Sequence, residues 1–199
     1  MLRYVIAAAL LFAASSASAT VITFDETPAA NNGTPLSGAY GATGASFSAT
    51  NTGIWAGIGD GDPGGWGLQG TNGSDFLGFN GSHGYTETVS FATAISSFSA
   101  DFARSGGSGD GTITLQAYNG VTLLGSTTAT LGAVNSWSTL SLQYSSITSI
   151  AWTGTGTGFH PYGVDNLVFA AAPVPEPATL CLFGAGLAGL ALTRRRKTV

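Results

Sequence analysis

Hydrophobic and polar residues alternate along several short segments in the middle of the chain. Phe98, Ala100 and Phe102 are separated by serine and aspartate, and residues 112–117 and 139–144 have the same period of two. Such alternation predicts strands with one buried face and one face in water. No segment has a convincing apolar stripe with the 3.6-residue period of a helix, so the middle of the chain is predicted to be all β.

Glycine, serine, threonine and asparagine divide these segments at short intervals. Asn119-Gly120 lies between Thr112–Tyr118 and Val121–Leu131, and an Asn-Gly pair between alternating segments is a strong hairpin signal. The fold prediction is a jelly-roll-like antiparallel β-sandwich, with an up-and-down barrel as the alternative. The chain lacks the fixed repeat of a β-solenoid. Further strands are predicted at Val21–Phe24, Tyr85–Phe91, Ile147–Trp152 and Val164–Phe169.

The first nineteen residues have the three parts of a secretory signal peptide. Arg3 supplies the positive start, Val5–Ala14 is apolar, and Ala17-Ser18-Ala19 offers small residues for cleavage after Ala19. The apolar part spans only about 15 Å as a helix, which is too short for a hydrocarbon core of about 30 Å. Residues 1–19 are therefore predicted to be removed during export.

The C-terminal 27 residues, 173–199, differ in composition from the rest of the chain. A proline-rich spacer, 173–177, ends the middle domain, 20–172, because proline fixes φ and lacks an N–H donor. The uncharged segment 178–193 is predicted to form a hydrophobic helix that holds the chain in the inner membrane before processing. A basic stop-transfer cluster keeps the end of the chain in the cytoplasm: Arg194, Arg195, Arg196 and Lys197. An ordinary single-span anchor is the alternative.

The tail also resembles a known sorting signal. The tripeptide Pro175-Glu176-Pro177, the short Gly/Leu/Ala helix and the basic end stand in the order of the PEP-CTERM sorting signal of Gram-negative bacteria. The resemblance implies that an exosortase, a membrane protease, is the processing partner and that the protein reaches the cell surface or extracellular matrix. It also implies an association with exopolysaccharide and biofilm. The same tail has been labelled an ice-binding protein C-terminal domain, but a tail shared by unrelated proteins is an address and not an activity.

Charge and cysteine content exclude several functions for the middle domain. Arg104 is its only basic residue apart from histidine, whereas all the acidic residues except Glu176 lie within it. Such a domain cannot neutralise phosphates, so nucleic acid is not a predicted partner. The single cysteine, Cys181, lies in the tail, which excludes disulfides, thiolate metal sites and a cysteine nucleophile from the middle domain.

Aspartates beside glycines make calcium a candidate cofactor, since this cation takes carboxylate and carbonyl oxygens. Asp25 ends the first predicted strand and Asp165 lies in the last, and these strands are often neighbours in jelly rolls. Asp60 and Asp62 open a second candidate loop, but the remaining positions of an EF-hand are not filled. The alternative for Asp165 is a hydrogen bond to backbone in a turn.

Two tryptophans in a glycine-rich segment are candidate carbohydrate-binding residues. Trp55 and Trp66 could stack on sugar rings while neighbouring polar groups bind hydroxyls. The favoured alternative is that both plug the end of the sandwich. The order of the predicted strands resembles that of lectin-like and carbohydrate-binding-module sandwiches, although this pattern does not name a ligand.

Catalytic motifs are absent from the sequence, so the protein is not predicted to be an enzyme. His83 and His160 lie in glycine- or proline-containing segments without metal-site spacing, and no GxSxG motif occurs. We therefore expect an exported, non-catalytic surface or matrix protein that associates with exopolysaccharide. The alternatives are a calcium-stabilised adhesive or structural protein that binds no sugar and, less favoured, a secreted glycoside hydrolase.

Overall fold

A computed structural model describes residues 18–26, 40–49, 57–60, 68–71, 75–80, 86–105, 111–155 and 161–172. They belong to one compact unit, Ala17–Ala172. Nine strands and one short 3-10 turn, Gly41–Thr43, make up the regular structure of these ranges. The strands are β1 (Ala19–Ile22), β2 (Ala45–Ala49), β3 (Gly57–Asp60), β4 (Asp75–Asn80), β5 (Thr86–Arg104), β6 (Gly111–Asn119), β7 (Thr122–Leu131), β8 (Ser138–Thr155) and β9 (Pro161–Ala171).

Every strand pair is antiparallel, and β5 and β8 are long enough for their halves to pair with different neighbours. The first half of β5 and the second half of β8 lie side by side, flanked by β2 on one edge and by β6 and then β7 on the other. We call this group, in the order β2-β5-β8-β6-β7, the β6 layer.

The remaining halves of the two long strands build the second group. The second half of β5 lies between β8 and β9, and the other edge of β9 pairs with β4 and β1, one after the other. β3 continues the sheet beyond β4. We call this group the β9 layer. Register shifts between Ser90 and Ser97 mark where β5 passes from one layer to the other.

Contacts between distant parts of β5 and β8 show that the two layers face each other. Trp152 lies opposite Glu87 near one end of β5, whereas Phe102 lies near the other end, yet their rings are 6.1 Å apart. On a flat sheet the same positions would be about 50 Å apart. The hydroxyl of Tyr162 in β9 also donates to the carbonyl of Thr155 in β8 at 2.9 Å. The fold is therefore an antiparallel β-sandwich of the jelly-roll type, as the sequence predicts.

The core between the layers is built from the buried residues of the alternating strands. In β6 and β8 the inward residues are fully or nearly fully buried, while their neighbours are partly exposed. The largest side chains of the core are aromatic, and they include Trp152, Tyr162, Phe24, Phe98 and Phe102.

The predicted hairpin is confirmed with its turn displaced by one residue. Asn119 pairs with Thr122, so the two-residue loop is Gly120-Val121. Gly120 has a φ of 57°, a left-handed conformation that glycine adopts without the steric cost of a Cβ atom.

The strands differ from the predicted ones in three ways. The first strand ends at Ile22 instead of Phe24, because Phe24 has a φ of 65° and leaves the extended conformation. The segments predicted as separate strands around Phe91 and Ile147 are continuous in β5 and β8. β2, β3 and β4 lie in the glycine-rich first half, where no strand was predicted after the first. The predicted helix 178–193 lies outside the described residues, and no helix within them is long and apolar enough to cross a membrane.

Candidate functional site

A row of polar side chains crosses the outer face of the β9 layer. Asp165 of β9 lies opposite Asp101 of β5, and Asp101 lies opposite Thr139 of β8. The hydroxyl of Thr139 donates to one oxygen of Asp101, and the amide of Asn166 donates to the other at 2.9 Å. Three adjacent strands are thus joined by one network, which we call the carboxyl network.

Asp165 is the fully buried centre of this network. One of its oxygens accepts hydrogen bonds from the backbone N–H of Thr71 at 2.6 Å and from the hydroxyl of Thr71 at 2.7 Å. The other oxygen accepts from the backbone N–H of Asn166 at 2.7 Å. These donors compensate for the loss of water around a buried carboxylate.

A β-bulge in β9 aims the residues of the network. β5 residues Ser99 and Asp101 pair with Val168 and Asp165, so β9 has one more residue than β5 over this interval. Within it Asn166 has a φ of 48°, a left-handed conformation that asparagine tolerates better than most residues. The bulge lets adjacent residues of β9 both contribute to one polar network.

Asp25 approaches the same region from the end of β1. Its carboxylate accepts a hydrogen bond from the backbone N–H of Asp75 at 3.1 Å. The preceding residue, Phe24, has a positive φ. Its ring packs against the rings of Tyr40 and Phe47, with centroid distances of 5.6 Å and 6.1 Å. Packing of a strained aromatic residue therefore fixes the position from which Asp25 points.

The surroundings of Asp165 shift the pKa of its carboxyl group. Burial raises the pKa of its carboxyl group, and the negative charge of Asp25 raises it further, whereas the hydrogen bonds from Thr71 and Asn166 lower it. The structure thus brings Asp25 close enough to Asp165 for their charges to interact. Among the described residues, no three His, Cys, Asp or Glu side chains come together in a way that could hold a metal ion. Calcium at Asp25 and Asp165 would need further oxygens from carbonyls, hydroxyls or water, and it stays a prediction.

Loops cover the outer face of the β9 layer next to the carboxyl network. Leu68, Phe76 and Ala103 are fully buried there and form a small second core, with Trp137 packed against it. The indole N–H of Trp137 donates to the carbonyl of Gln69 at 3.0 Å. Trp137 lies directly before β8 and outside the main core, whereas Trp152 lies inside that core.

The outer face of the β6 layer is the second candidate site, and it is built mainly from hydroxyl side chains. Thr86, Thr153, Thr114 and Thr128 lie side by side in one row across four strands. The next row contains Thr155, Thr112 and Thr130. On the other side, two more rows contain Ser48, Thr88, Ala151, Gln116 and Ser126, and then Ser46, Ser90, Ser149 and Tyr118. We call this surface the hydroxyl face.

The hydroxyl face is regular and, in its described part, uncharged. Neighbouring strands lie about 4.8 Å apart and successive rows about 7 Å apart. Thr114 and Thr128 share a hydrogen bond of 3.0 Å between their hydroxyls, and Thr112 and Thr155 share another. The sequence from Gly111 to Val164 contains no Asp, Glu, Lys or Arg. The surface can therefore donate and accept hydrogen bonds without attracting or repelling ions.

Glu87 of the β6 layer points in the opposite direction, into the sandwich. Its side chain is 3% exposed, and one carboxylate oxygen has no hydrogen-bond partner. Burial raises the pKa of Glu87 from 4.5 to about 7. Within the described ranges this is the only acidic side chain of the β6 layer, and it lies behind the hydroxyl face, not on it.

Several residues singled out from the sequence lie outside the described part of the chain. Neither candidate sugar-binding tryptophan, Trp55 or Trp66, is described, and the same holds for Asp62, both histidines and the whole tail. Asp60 ends β3, but its side chain is not described. The roles predicted for these residues stay predictions.

Sequence reasoning missed most partners of Asp165. Thr71 lies 94 positions away from Asp165 in a glycine-rich segment without periodicity, so no local signal connected the two. Asp101 was assigned to a wet strand face, and its lone charge among serines was a usable signal that this face is special. The alternating threonines of β6, β7 and β8 were seen as wet faces but not as one surface, because their register is not visible in the sequence.

A family model for the PEP-CTERM protein-sorting motif matches residues 173–197. The chain carries a PEP-CTERM sorting motif. This result confirms the resemblance seen in the sequence and supports an exported protein that an exosortase sorts to the cell surface. Comparison of the chain with the curated proteins gives no match.

The middle domain is similar in fold to several solved structures. The tandem CBM22 domains of Paenibacillus barcinonensis Xyn10C match with a TM-score of 0.51 and 16% identity, over 83% of this chain and 48% of that one. The K1 cleaved adhesin domain of Lys-gingipain from Porphyromonas gingivalis W83 matches with a TM-score of 0.50 and 11% identity, over 77% and 98% of the two chains. A galactotriose-bound module, TmCBM61, has a TM-score of 0.43 and 13% identity, over 65% and 92%. At these identities the likeness concerns the fold alone.

Proposed function

We propose that this protein is an exported, non-catalytic surface or matrix protein that associates with a neutral exopolysaccharide through its hydroxyl face. The sorting motif supports the location, and the likeness in fold to carbohydrate-binding and adhesin domains is compatible with binding to a carbohydrate. The observation that carries the proposal is the uncharged array of hydroxyl groups on five adjacent strands.

The chemistry of the hydroxyl face matches a neutral polysaccharide better than other ligands. Serine and threonine hydroxyls both donate and accept hydrogen bonds, as sugar hydroxyls do. A polysaccharide chain is long and can contact several rows at once, so that many weak contacts add up. An acidic polysaccharide would be repelled by the net negative charge of the domain. We therefore expect neutral chains to bind and acidic chains not to bind.

A charge placed on each of the two layers tests this proposal. Thr153→Lys puts a long charged side chain in the middle of the hydroxyl face, and Ser141→Lys puts the same side chain on the β9 layer of the same strand. The unit Ala17–Ala172 and both variants would be run in native gels that contain xylan, mixed-linkage β-glucan, galactan or, as the acidic control, alginate. We expect a neutral polysaccharide to retard the parent and Ser141→Lys, with at least about tenfold weaker retardation of Thr153→Lys.

Three outcomes would contradict the proposal. If all three proteins bind equally, the hydroxyl face is not the binding site. Trp55→Ala and Trp66→Ala would then test the tryptophans predicted from the sequence. If the parent binds no polysaccharide, including that secreted by the producing cells, the proposed function is wrong. Release of reducing sugar from a bound polysaccharide would replace the non-catalytic assignment with a hydrolase.

A calcium-stabilised adhesive protein is the second candidate function, and the interaction of Asp25 with Asp165 favours it. A cation between these carboxylates would offset the repulsion that raises the pKa of Asp165. We expect calcium to raise the melting temperature of the parent and to have little effect on Asp25→Asn, because a ligand that binds only the folded state stabilises it. A melting temperature that responds to neither calcium nor a chelator would count against this candidate.

A further inference from the structure

One sheet edge of the sandwich is long and open. β7 is ten residues long and pairs with β6 through nine of them, and in the described part of the chain no strand pairs with its other edge. The other edges are shorter, with five residues in β2, four in β3, and six in the first half of β8, where Ser138–Gln143 pair with β5. A long edge strand presents a row of backbone N–H and C=O groups that can pair with another strand.

β7 also lacks the features that usually prevent such pairing. Its sequence, Thr-Leu-Leu-Gly-Ser-Thr-Thr-Ala-Thr-Leu, contains no charged residue and no proline. Natural edge strands are commonly protected by lysine, proline or short length. The only irregularity in its pairing with β6 lies next to Ala117, close to the hairpin turn. From Gly125 to Leu131 the strand is regular.

Exposed apolar side chains lie at the hairpin end of the same edge. Val121 in the turn is 98% exposed, and Leu123 is 49% exposed. Only two other large apolar side chains of the described residues are comparably exposed, Val21 and Val134. Apolar groups beside an open edge add contact area to any strand that pairs there.

We propose that β7 pairs antiparallel with β7 of a second copy of this chain. Local charge does not oppose a second copy as the occupant, because the acidic groups of the carboxyl network lie on the β9 layer and β7 itself bears no charge. Two acidic domains can therefore meet at this edge without bringing like charges face to face. The small side chains of its regular part, Gly125–Ala129, also allow the strand to face itself.

The pairing has a consequence for the hydroxyl face. Thr128 and Thr130 end two of its rows at the β7 edge. In the dimer these rows continue into the second copy, so the two five-stranded β6 layers become one continuous hydroxyl surface. Two linked surfaces hold a polysaccharide more strongly than one.

Antiparallel pairing about a two-fold axis predicts a sharp cross-linking pattern. The residue on the axis faces its own copy with a Cα separation of about 4.5–5.5 Å, which is within the range of a disulfide bond. A residue three positions away is separated from its copy by about 20 Å. Since Cys181 lies outside Ala17–Ala172, single cysteines introduced at positions 125–130 report on this edge without background.

The experiment combines the cysteine scan with two matched lysine variants, in the absence of polysaccharide. Thr128→Lys charges the edge, whereas Thr114→Lys charges the directly paired residue on β6, on the same face but away from the edge. Sedimentation of Ala17–Ala172 would measure the dimer, and circular dichroism would confirm that each variant is folded. We expect Thr128→Lys to raise the dimer dissociation constant at least about tenfold and Thr114→Lys to change it less than about twofold. Disulfide dimers should form at one central position of the scan and not at its ends.

Three results would overturn the proposal. A parent that remains monomeric at several hundred micromolar, with no cross-link, would show that a second copy does not occupy the edge. Equal loss of the dimer in Thr114→Lys and Thr128→Lys would show that copies associate through their faces. Cross-links at every position would show parallel pairing. Because none of these measurements contains a polysaccharide, they leave the test of carbohydrate binding independent.

Discussion

The two layers of the sandwich use their outer faces in opposite ways. The β9 layer is covered by loop residues and has a small second core and a buried carboxyl network. The β6 layer has an open face of threonine and serine whose described part bears no charge. The same strands, β5 and β8, contribute to both faces, so the difference comes from the residues at each position and not from different strand types.

From this contrast we expect the β9 layer to determine stability and the β6 layer to determine ligand binding. Buried polar groups of the β9 layer must satisfy one another, so changes there should affect folding. Exposed hydroxyls of the β6 layer can exchange their partners for water, so changes there should affect binding while leaving the fold intact. Variants of both layers test this separation, beginning with Glu87, a buried carboxyl group of the β6 layer.

Substitution of Glu87 should change the free energy of unfolding more than any other variant, because Glu87 is a buried carboxyl group. Its pKa of about 7 in the folded state exceeds the ordinary 4.5, so the folded protein prefers the protonated form. The parent should lose stability as pH rises from about 4.5 to about 7 and change little above that. We expect Glu87→Gln to be about 3 kcal/mol more stable than the parent at pH 8 and about equal to it at pH 4.

Urea unfolding at both pH values would measure the effect of Glu87→Gln. Asp165 retains its own raised pKa in the variant, so part of the pH dependence should remain. If Glu87→Gln is no more stable than the parent at pH 8, the carboxyl group of Glu87 must be hydrated or hydrogen-bonded in the folded protein.

Asp165→Ala should destabilise the β9 layer by about 2 kcal/mol at pH 7, since it leaves the N–H groups of Thr71 and Asn166 without their acceptor. The loss is moderated because the buried carboxylate itself is costly to desolvate. Unfolding by urea measures the loss. If polysaccharide binding fell while stability stayed constant, the carboxyl network would belong to recognition instead.

Gly154→Ala tests the contact between the two layers. A Cβ atom on Gly154 would lie 2.4 Å from the ring of Tyr162, so the ring must move. We expect a loss of about 1.5 kcal/mol, the usual size of an overpacking effect. Gly41→Ala is the matched control, because a Cβ atom there meets nothing within 4 Å. Equal melting temperatures for the two variants would contradict the close packing of Tyr162.

Thr114→Val should have the smallest effect on stability, below about 0.5 kcal/mol, because it removes one exposed hydroxyl and its bond to Thr128. If the hydroxyl face binds polysaccharide, retardation in a polysaccharide gel should weaken while the urea midpoint stays constant. A large loss of stability would show that the threonine rows hold the fold together.

Much of the fold could be predicted because its second half alternates clearly. In β6, Leu115 and Ala117 face the core, whereas the neighbouring Thr114 and Gln116 face outward. The Asn119-Gly120 pair is a local signal for the hairpin. β2, β3 and β4 were harder to predict because each has only four to six residues. β2 does alternate, with Ala45 and Phe47 buried, but it is short, and β4 has no period of two because the adjacent Phe76 and Leu77 are both buried. β5 was divided in two because Ala92-Thr93-Ala94 interrupts the alternation where the strand changes layers.

The candidate site was less predictable because it depends on contacts between distant residues. The sequence placed Asp25 and Asp165 in neighbouring strands, and the structure brings their charges into interaction. The roles of Thr71, Asp101 and Asn166 depend on a bulge and on strand register, neither of which leaves a local pattern. The same is true of the threonine rows, where residues of one row come from four strands.

The position of β9 has a mechanical consequence. β9 leads directly to Ala172, before the sorting motif, and lies between β5 on one side and β4 and β1 on the other. If the mature protein is held at its C-terminal end while a ligand binds the opposite layer, tension would pass through the ladder of β5 and β9, along the direction of the strands. Such a load must shear many backbone hydrogen bonds at once instead of peeling them apart one at a time, which would suit the surface protein proposed above.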